Sequence, residues 1–417
     1  MQQPFVPAPA WALPFVALLL AIAVLPLLAP HFWESNLRKL AVAVVLAAPV
    51  LVLYVRAHPA ALVHVAGDYA SFIVLLGGLF VISGGIFLEG DLEATPRTNA
   101  AFLGAGALLA SLIGTTGASM LLVRPLLQTN RERKHVAHTV VFFIFLVSNI
   151  GGCLTPLGDP PLFLGYLQGV PFLWTLRLFV PWLFTVGLLL AVYLVWDRRA
   201  HARESRADLR RDFYEVRPLR LAGKLNLALL GGVLLAVALL PTPGREVAIL
   251  ALAAFSFVAT QPELRQANRF TFHPILEVAA LFAGIFVTML PALDLLRARG
   301  AELGVREPWH FFWATGALSS FLDNAPTYLT FLALAQGLGL APQGAGVVGV
   351  PESILKAISL GAVFMGANSY IGNGPNFMVR SIAEERGVRM PSFGGYMLFS
   401  GAVLIPVFVL VTLVFFR

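Results

Sequence analysis

Asn149-Ile-Gly-Gly-Cys-Leu-Thr-Pro156 interrupts one hydrophobic run of this chain, and Asn368-Ser-Tyr-Ile-Gly-Asn-Gly-Pro375 interrupts another with the same device, an Asn followed seven residues later by Pro in a glycine-rich stretch. A helix crossing lipid must satisfy its backbone polar groups internally, so a break at depth is tolerated only where it is buried in protein or lines a cavity. Two breaks at matching places in two halves point to the binding site of a transporter.

The surrounding composition places both breaks in a membrane. Hydrophobic residues fill 58% of the 417 positions and charged ones 12%, with a mean hydropathy of +0.81, outside the range of soluble domains. Uncharged stretches recur at a length of about 16 to 22 residues, enough to cross roughly 30 Å of hydrocarbon. Spans are predicted near 12–29, 39–55, 70–88, 136–165 (broken), 172–195, 225–241, 246–260, 275–291, 353–384 (broken) and 395–416. The stretches 100–127 and 309–338 read as re-entrant hairpins. The expected fold is therefore an all-α polytopic membrane protein. Short alternating segments of a transmembrane β-barrel do not dominate.

A net charge of +7 could suggest nucleic acid, but the basic residues sort by topology. With the N-terminus outside, about 20 of the 29 Lys and Arg fall on the cytoplasmic side and about 7 on the other, with Arg124 and Arg177 left inside membrane segments. The first ten residues carry no basic n-region, so an uncleaved first span is expected. The most polar stretch, 196–224, is expected to be a solvated cytoplasmic linker between halves 1–195 and 225–417, in reach of anionic lipid head groups. The single cysteine, Cys153, excludes an intrachain disulfide and reads as a packed small residue.

The halves resemble each other in order. Gly77-Gly-Leu-Phe-Val parallels Ala283-Gly-Ile-Phe-Val, and Gly106-Ala-Leu precedes one polar tip, Gly114–Ser119, as Gly316-Ala-Leu precedes another, Asp323–Thr327. An odd number of crossings between equivalent elements turns the second half upside down, giving an inverted repeat with one hairpin entering from each side.

Tips and breaks expose backbone groups at mid-membrane, and the side chains around them carry hard oxygens that suit an alkali cation. Thr115, Thr116, Ser119, Ser148, Asn149 and Thr155 serve the first half; Ser319, Ser320, Asn324, Thr327, Asn368, Ser369, Asn373 and Asn376 serve the second. A lone Ser or Thr in such a place also serves helix packing. Two carboxylates stand at the proposed site, Asp159 before Pro160-Pro161 and Asp323 before Asn324-Ala-Pro326. An acidic side chain at a helix centre costs about 2.5–3.5 kcal/mol on insertion scales, so it normally faces a cavity, an ion path or a partner. Both are also in good positions to cap the helix that follows. Glu277 is a further proton-linked candidate or a paired structural residue, and Arg124 is expected to pair with a carboxylate or reach the cytoplasmic surface. No phosphate-binding Gly-x4-Gly-Lys-Ser/Thr loop occurs, which disfavours ATP-driven transport.

Ser148-Asn-Ile-Gly-Gly-Cys-Leu-Thr-Pro-Leu-Gly-Asp-Pro-Pro161 resembles the signature of NhaD-type sodium/proton antiporters, in the ion transporter superfamily that also holds arsenite exporters and citrate or dicarboxylate transporters. Phe321–Thr327 and Asn368–Asn376 resemble the second-half motifs of that group. The resemblance implies a homodimer in the bacterial cytoplasmic membrane, with scaffold and transport domains and elevator-like movement. It implies no cofactor, only sodium and protons as transported ions. Carried over by position, the site is Asn149, Thr155, Asp159, Asp323, Asn324, Thr327, Asn368 and Asn373, with sodium at Asp159 and Asp323 beside Asn149 and Asn368. Ile150 follows Ser148-Asn149 where sodium-coupled dicarboxylate transporters carry Ser-Asn-Thr, which favours a cation or arsenite over a dicarboxylate. The alternatives are an anion transporter of the same superfamily and, more remotely, a membrane enzyme or channel subunit.

Overall fold

The computed structural model describes residues 5–341 and 346–417. The first half begins with α1 (Leu13–Leu28), a single turn α2 (Pro30–Trp33), α3 (Asn36–Ala57) and α4 (Pro59–Ser83). After strand β1 (Phe87–Asp91) come the paired helices α5 (Pro96–Ile113) and α6 (Thr115–Thr129), then α7 (Ala137–Leu146), α8 (Pro160–Leu167) and α9 (Phe179–His201). The linker holds α10 (Arg206–Glu215) and strand β2 (Arg217–Ala222). The second half contains α11 (Lys224–Leu239), α12 (Gly244–Ala259), the short α13 (Pro262–Ala267), α14 (His273–Arg299), α15 (Pro308–Ser319), α16 (Asn324–Gly337), α17 (Glu352–Met365), α18 (Gly374–Glu385) and α19 (Phe393–Phe415).

Six of these helical segments are long and apolar enough to cross a membrane. The protein is a helical, polytopic membrane protein, and its outer helices carry exposed apolar side chains such as Val44, Val45, Val52, Val55, Val258 and Leu398 that suit a hydrocarbon solvent. One addition to the all-α expectation is the antiparallel ribbon of β1 and β2, in which Phe87 pairs with Ala222 and Asp91 with Arg217. It lies on the face that carries the linker, here called the linker face. The first four residues lie outside the described part, and with them the N-terminus expected outside.

Two groups of helices divide the packing. In the first, α3 lies along α14 and α12 along α4. The α3–α14 pair is clamped at both ends: Lys39 Nζ meets Glu277 at 2.6 Å, and Tyr54 Oη donates to Asp294 at 2.6 Å. Lys39 is buried, so its ammonium needs that partner. The second group consists of two helical hairpins, α5–α6 and α15–α16, and two interrupted helices, α7–α8 and α17–α18. The open end of the first hairpin is closed by reciprocal amide bonds between Asn99 and Asn130, 2.8 and 2.9 Å, so both of its ends stay on the linker face.

The linker is less solvated than its composition suggests. Arg133, just before α7, donates to both oxygens of Asp197 on α9, at 2.5 and 3.2 Å, and His138 Nε2 lies 2.8 Å from the same carboxylate. All three are buried. Glu204 accepts from the backbone N–H groups of Lys134 and His135. Alternating charges conceal such pairs in a sequence, because only the fold brings α7 and α9 together. Arg177, expected inside a membrane segment, lies in a 3-10 segment, Phe172–Leu178, at the start of the apolar stretch Phe172–His201, and pairs with Glu352.

Asp212 of α10 docks this linker by accepting from Ala94 N–H at 2.9 Å. Burial, together with Glu132, Asp91 and Glu93 nearby and against the Ala94 bond, pushes its carboxyl up to about 6. The folded state thus holds the proton more tightly than the unfolded one, so this contribution to docking is complete below the ordinary carboxyl range and is lost as pH rises through about 6. Hydrogen exchange across α10, corrected for intrinsic rates, is expected to be slower at pH 5 than at pH 7.5, and Asp212→Asn should remove that difference. Equal protection at both pH values in the parent protein would contradict it.

Candidate functional site

Pro160 and Pro161 start α8 because proline fits the first helical turn, where no N–H is needed, while the residue before it is held extended. Asp159 accordingly has φ −146° and ψ 142°. Asn373, preceding Gly374-Pro375 at the start of α18, has φ −151° and ψ 142°. These two residues are counterparts, and the hydrogen bonds around them define the true register of the repeat. In the first half Ser111 donates to Gly151 O and receives Thr155 Oγ1 at its own carbonyl. In the second, Ser320 donates to Met365 O at 3.2 Å and receives Ser369 Oγ at its carbonyl. Thr155 then accepts from Leu157 N–H and Ser369 from Ile371 N–H. Thr155 therefore matches Ser369, and Asp159 matches Asn373.

This corrects the alignment of Asn149 with Asn368. Pro156 lies within its loop, whereas Pro375 is in the first turn of α18 and corresponds to Pro161. The shared seven-residue spacing joins positions with different backbone roles.

The counterparts meet. Asp159, 1% exposed, accepts from Thr115 Oγ1 at 2.8 Å, Asn324 Nδ2 at 2.5 Å and Asn373 Nδ2 at 3.1 Å. Thr115 and Asn324 are the first residues of α6 and α16. Four helix N-termini thus converge on one carboxylate, two from hairpin tips and two from interrupted helices, and helix N-termini favour negative charge. Charge-assisted bonds contribute about 1.5–3 kcal/mol each, so three of them exceed the about 2.5–3.5 kcal/mol insertion cost of the residue. Among the described residues no Lys, Arg or His forms an ion pair with it.

A second clasp joins the breaks. Asn149 Nδ2 donates to Asn376 Oδ1 at 2.7 Å and to Ile144 O at 2.8 Å, and Asn376 Nδ2 reaches Gly366 O and Ser369 O, both at 2.9 Å. Asn149 Oδ1, Asn324 Oδ1 and Asn368 Oδ1 are buried and accept no hydrogen bond among the described residues. Such acceptors are costly in an apolar interior, and they have the chemistry of hard-cation ligands.

A cavity of about 80 Å³ borders the first tip, between Gly114, Thr115, Thr116 and Gly158 on one side and Leu79, Phe80 and Ile275 on the other. At that tip Gly114 has φ +84°, a conformation suited to glycine. Gly158 is required for a different reason: a Cβ there would lie 2.2 Å from Gly152 O. Gly158→Ala must spread the break, and overpacking of this kind costs about 1–3 kcal/mol. Thermal unfolding in detergent should register the loss, while an unchanged Tm would show that the break yields freely.

A family model, CitMHS_2, described as "Putative citrate transport", matches residues 6–416. The chain belongs to this family. Membership in the citrate-transport family supports an integral membrane transporter of the ion and citrate kind. No curated protein matches the chain.

Within this member of the citrate-transport family, the residues chosen from sequence fall into distinct roles. Asp159, Asn324 and Asn373 come together directly. Asn149 is one layer away, and Asn368 Nδ2 binds Ser320 Oγ at 2.8 Å. Thr155 staples the break to Ser111. Thr327 bonds back to Asp323 O at 2.9 Å. Asp323 caps α16 through Ala325 N–H at 3.0 Å and shares no hydrogen bond with Asp159. Glu277 is held by Lys39 outside the cluster. Thr115 and Asn376 belong to the cluster but were not selected, although both stood in the oxygen inventory. Ser111 gave no signal, being one serine in a helical run.

Proposed function

We propose that the protein is a secondary active transporter that exchanges sodium, or lithium, for protons, with Asp159 as the carboxylate both ions share. The observation that carries this reading is a buried carboxylate with three hydrogen-bond donors and, among the described residues, no paired Lys, Arg or His. Ionised, Asp159 leaves one negative charge that a sodium ion can balance, with the unpaired carboxamide oxygens of Asn149, Asn324 or Asn368 as further ligands. Protonated, it is neutral without sodium. The two loaded forms cross a low-dielectric region more cheaply than the bare carboxylate. Asp323 is the second acidic group at the tips and caps α16 while the ion is bound.

The hairpins and interrupted helices form the moving domain of this proposal, carried past the scaffold of α3, α4, α11, α12 and α14 in an elevator motion. The linker face is cytoplasmic by the distribution of Lys and Arg, which puts the N-terminus outside a bacterial cytoplasmic membrane. A homodimer is the proposed assembly, with membrane lipid around it.

A second reading is favoured by two observations, the family description and the four convergent helix N-termini, which suit an anionic group. In it, a carboxylate such as citrate is carried and Asp159 binds the coupling cation or proton. A pH-jump assay in proteoliposomes, with sodium, lithium, potassium, arsenite and citrate added in turn, separates the two. Proton movement on adding sodium or lithium alone supports exchange. Citrate-dependent movement with no response to sodium alone supports the anion carrier and rejects the first reading.

A further inference from the structure

Arg124 lies nine residues beyond the first tip on α6, about 14 Å along the helix at 1.5 Å per residue, and faces the linker side rather than the Asp159 cluster. Of the two roles expected from sequence, it takes the one toward the linker face: among the described residues it has no carboxylate partner, and its Nη1 is buried without a hydrogen bond. It lines a cavity of about 580 Å³ enclosed by the end of α6, the β1–β2 ribbon and the residue after α18. Arg217, Arg220 and Arg386 share that lining, and none of the three is in an ion pair among the described residues. The acids on the wall only partly offset them: Asp91, opposite Arg217 in the ribbon, accepts from Gln128 at 3.2 Å, and Glu215 is taken by Arg131. Glu89, the remaining acidic group on the wall, stands opposite Arg220 in the ribbon without forming an ion pair among the described residues.

Five Arg side chains and three acidic ones line the cavity, a surplus of positive charge that a shared anion would relieve. Guanidinium forks match the paired oxygens of carboxylate and phosphate. We propose that this cavity is a binding site for a multivalent oxyanion, of phosphate or carboxylate chemistry, reached from the linker face and distinct from the Asp159 cluster. Its source is either a free small polyanion or the head group of an anionic lipid, since Phe87, Leu88 and Pro218 give the cavity an apolar side. The site joins Arg124 of a hairpin arm and Arg386 at the end of an interrupted helix to Arg217 and Arg220 of the ribbon. An occupant therefore ties the hairpin group to the ribbon and stabilises the conformation described here.

The test uses the full-length protein. In neutral detergent, binding of inorganic phosphate and of citrate is measured by calorimetry. In vesicles, thermal unfolding is compared between zwitterionic phosphatidylcholine alone and the same lipid mixed with phosphatidylglycerol. Saturable binding of a free anion, or stabilisation by the anionic lipid only, is expected, and the arm that responds identifies the source. Arg124→Gln and Arg386→Gln are each expected to weaken that response about tenfold or more, corresponding to one charge-assisted contact. Asp159→Asn should leave it unchanged. Arg386 and Arg220 are exposed, so Arg386→Gln and Arg220→Gln keep the test valid if Arg124→Gln does not fold. No response in any arm, or a response that folded Arg386→Gln and Arg220→Gln leave intact, overturns the proposal.

Discussion

Asp159→Asn is expected to abolish sodium-driven proton movement in proteoliposomes. The side chain keeps its shape, so the loss reports chemistry rather than packing. A carboxylate accepts at both oxygens, and here both are in use, one by Thr115 and Asn373 and the other by Asn324. An asparagine presents an NH2 group at one of those places, where it meets another donor. The unmade bond costs about 1–3 kcal/mol, so a moderate fall in Tm should accompany the functional loss. More important, the variant has no charge to balance sodium and no site to carry the proton.

Asp323→Asn supplies the contrast. Asn caps a helix as well as Asp does, and the single bond from Ala325 N–H survives the change. Exchange is expected to persist at reduced rate, with stability nearly unchanged. Full exchange in Asp159→Asn, with sodium dependence intact, would remove the carboxylate from the mechanism. In the anion-carrier reading the same variant retains citrate binding and loses its dependence on pH or cation.

The second large effect concerns movement. Ser83 closes α4, and Gly117 sits in the first turn of α6, across the line along which a moving domain would slide. A Cβ placed on Gly117 would be 3.3 Å from Ser83 Cβ, slightly inside the usual disulfide range of about 3.5–4.5 Å. The pair Ser83→Cys with Gly117→Cys is therefore expected to cross-link on oxidation with a small adjustment. Oxidised protein should lose nearly all transport, and reduction should restore it. Each single variant controls for the added side chain. Transport at the parent rate by fully cross-linked protein would mean that α6 does not move past α4, and the elevator would have to be abandoned while the role of Asp159 stood.

Several features of this chain were readable before any contact was known, and each is local. Hydrophobic length marks the spans. Asp-Pro-Pro at 159–161 marks a helix start at depth, and the polar runs at 114–119 and 323–327 mark the tips. These follow from backbone rules and from the cost of placing polar groups in hydrocarbon, and they need no partner.

Partners are where the reading failed or was incomplete. Glu277 reads from sequence as either a proton-linked or a paired structural residue, and only the fold sets Lys39 against it. Asp197 and Glu204 looked like solvated linker charges, yet they are buried against the base of α7. The Asn-to-Pro spacing suggested that Asn149 and Asn368 were equivalent, while the serine staples show that Asp159 and Asn373 are. By itself the sequence determined that two broken helices and two tips exist and that Asp159 stands at one of them, because proline placement and hydrophobic length act through neighbouring residues alone. Only the tertiary structure decided that Thr115, Asn324 and Asn373 converge on that carboxylate, because hydrogen bonds across 44, 165 and 214 residues of chain depend on how the two halves interlock, which no local pattern encodes.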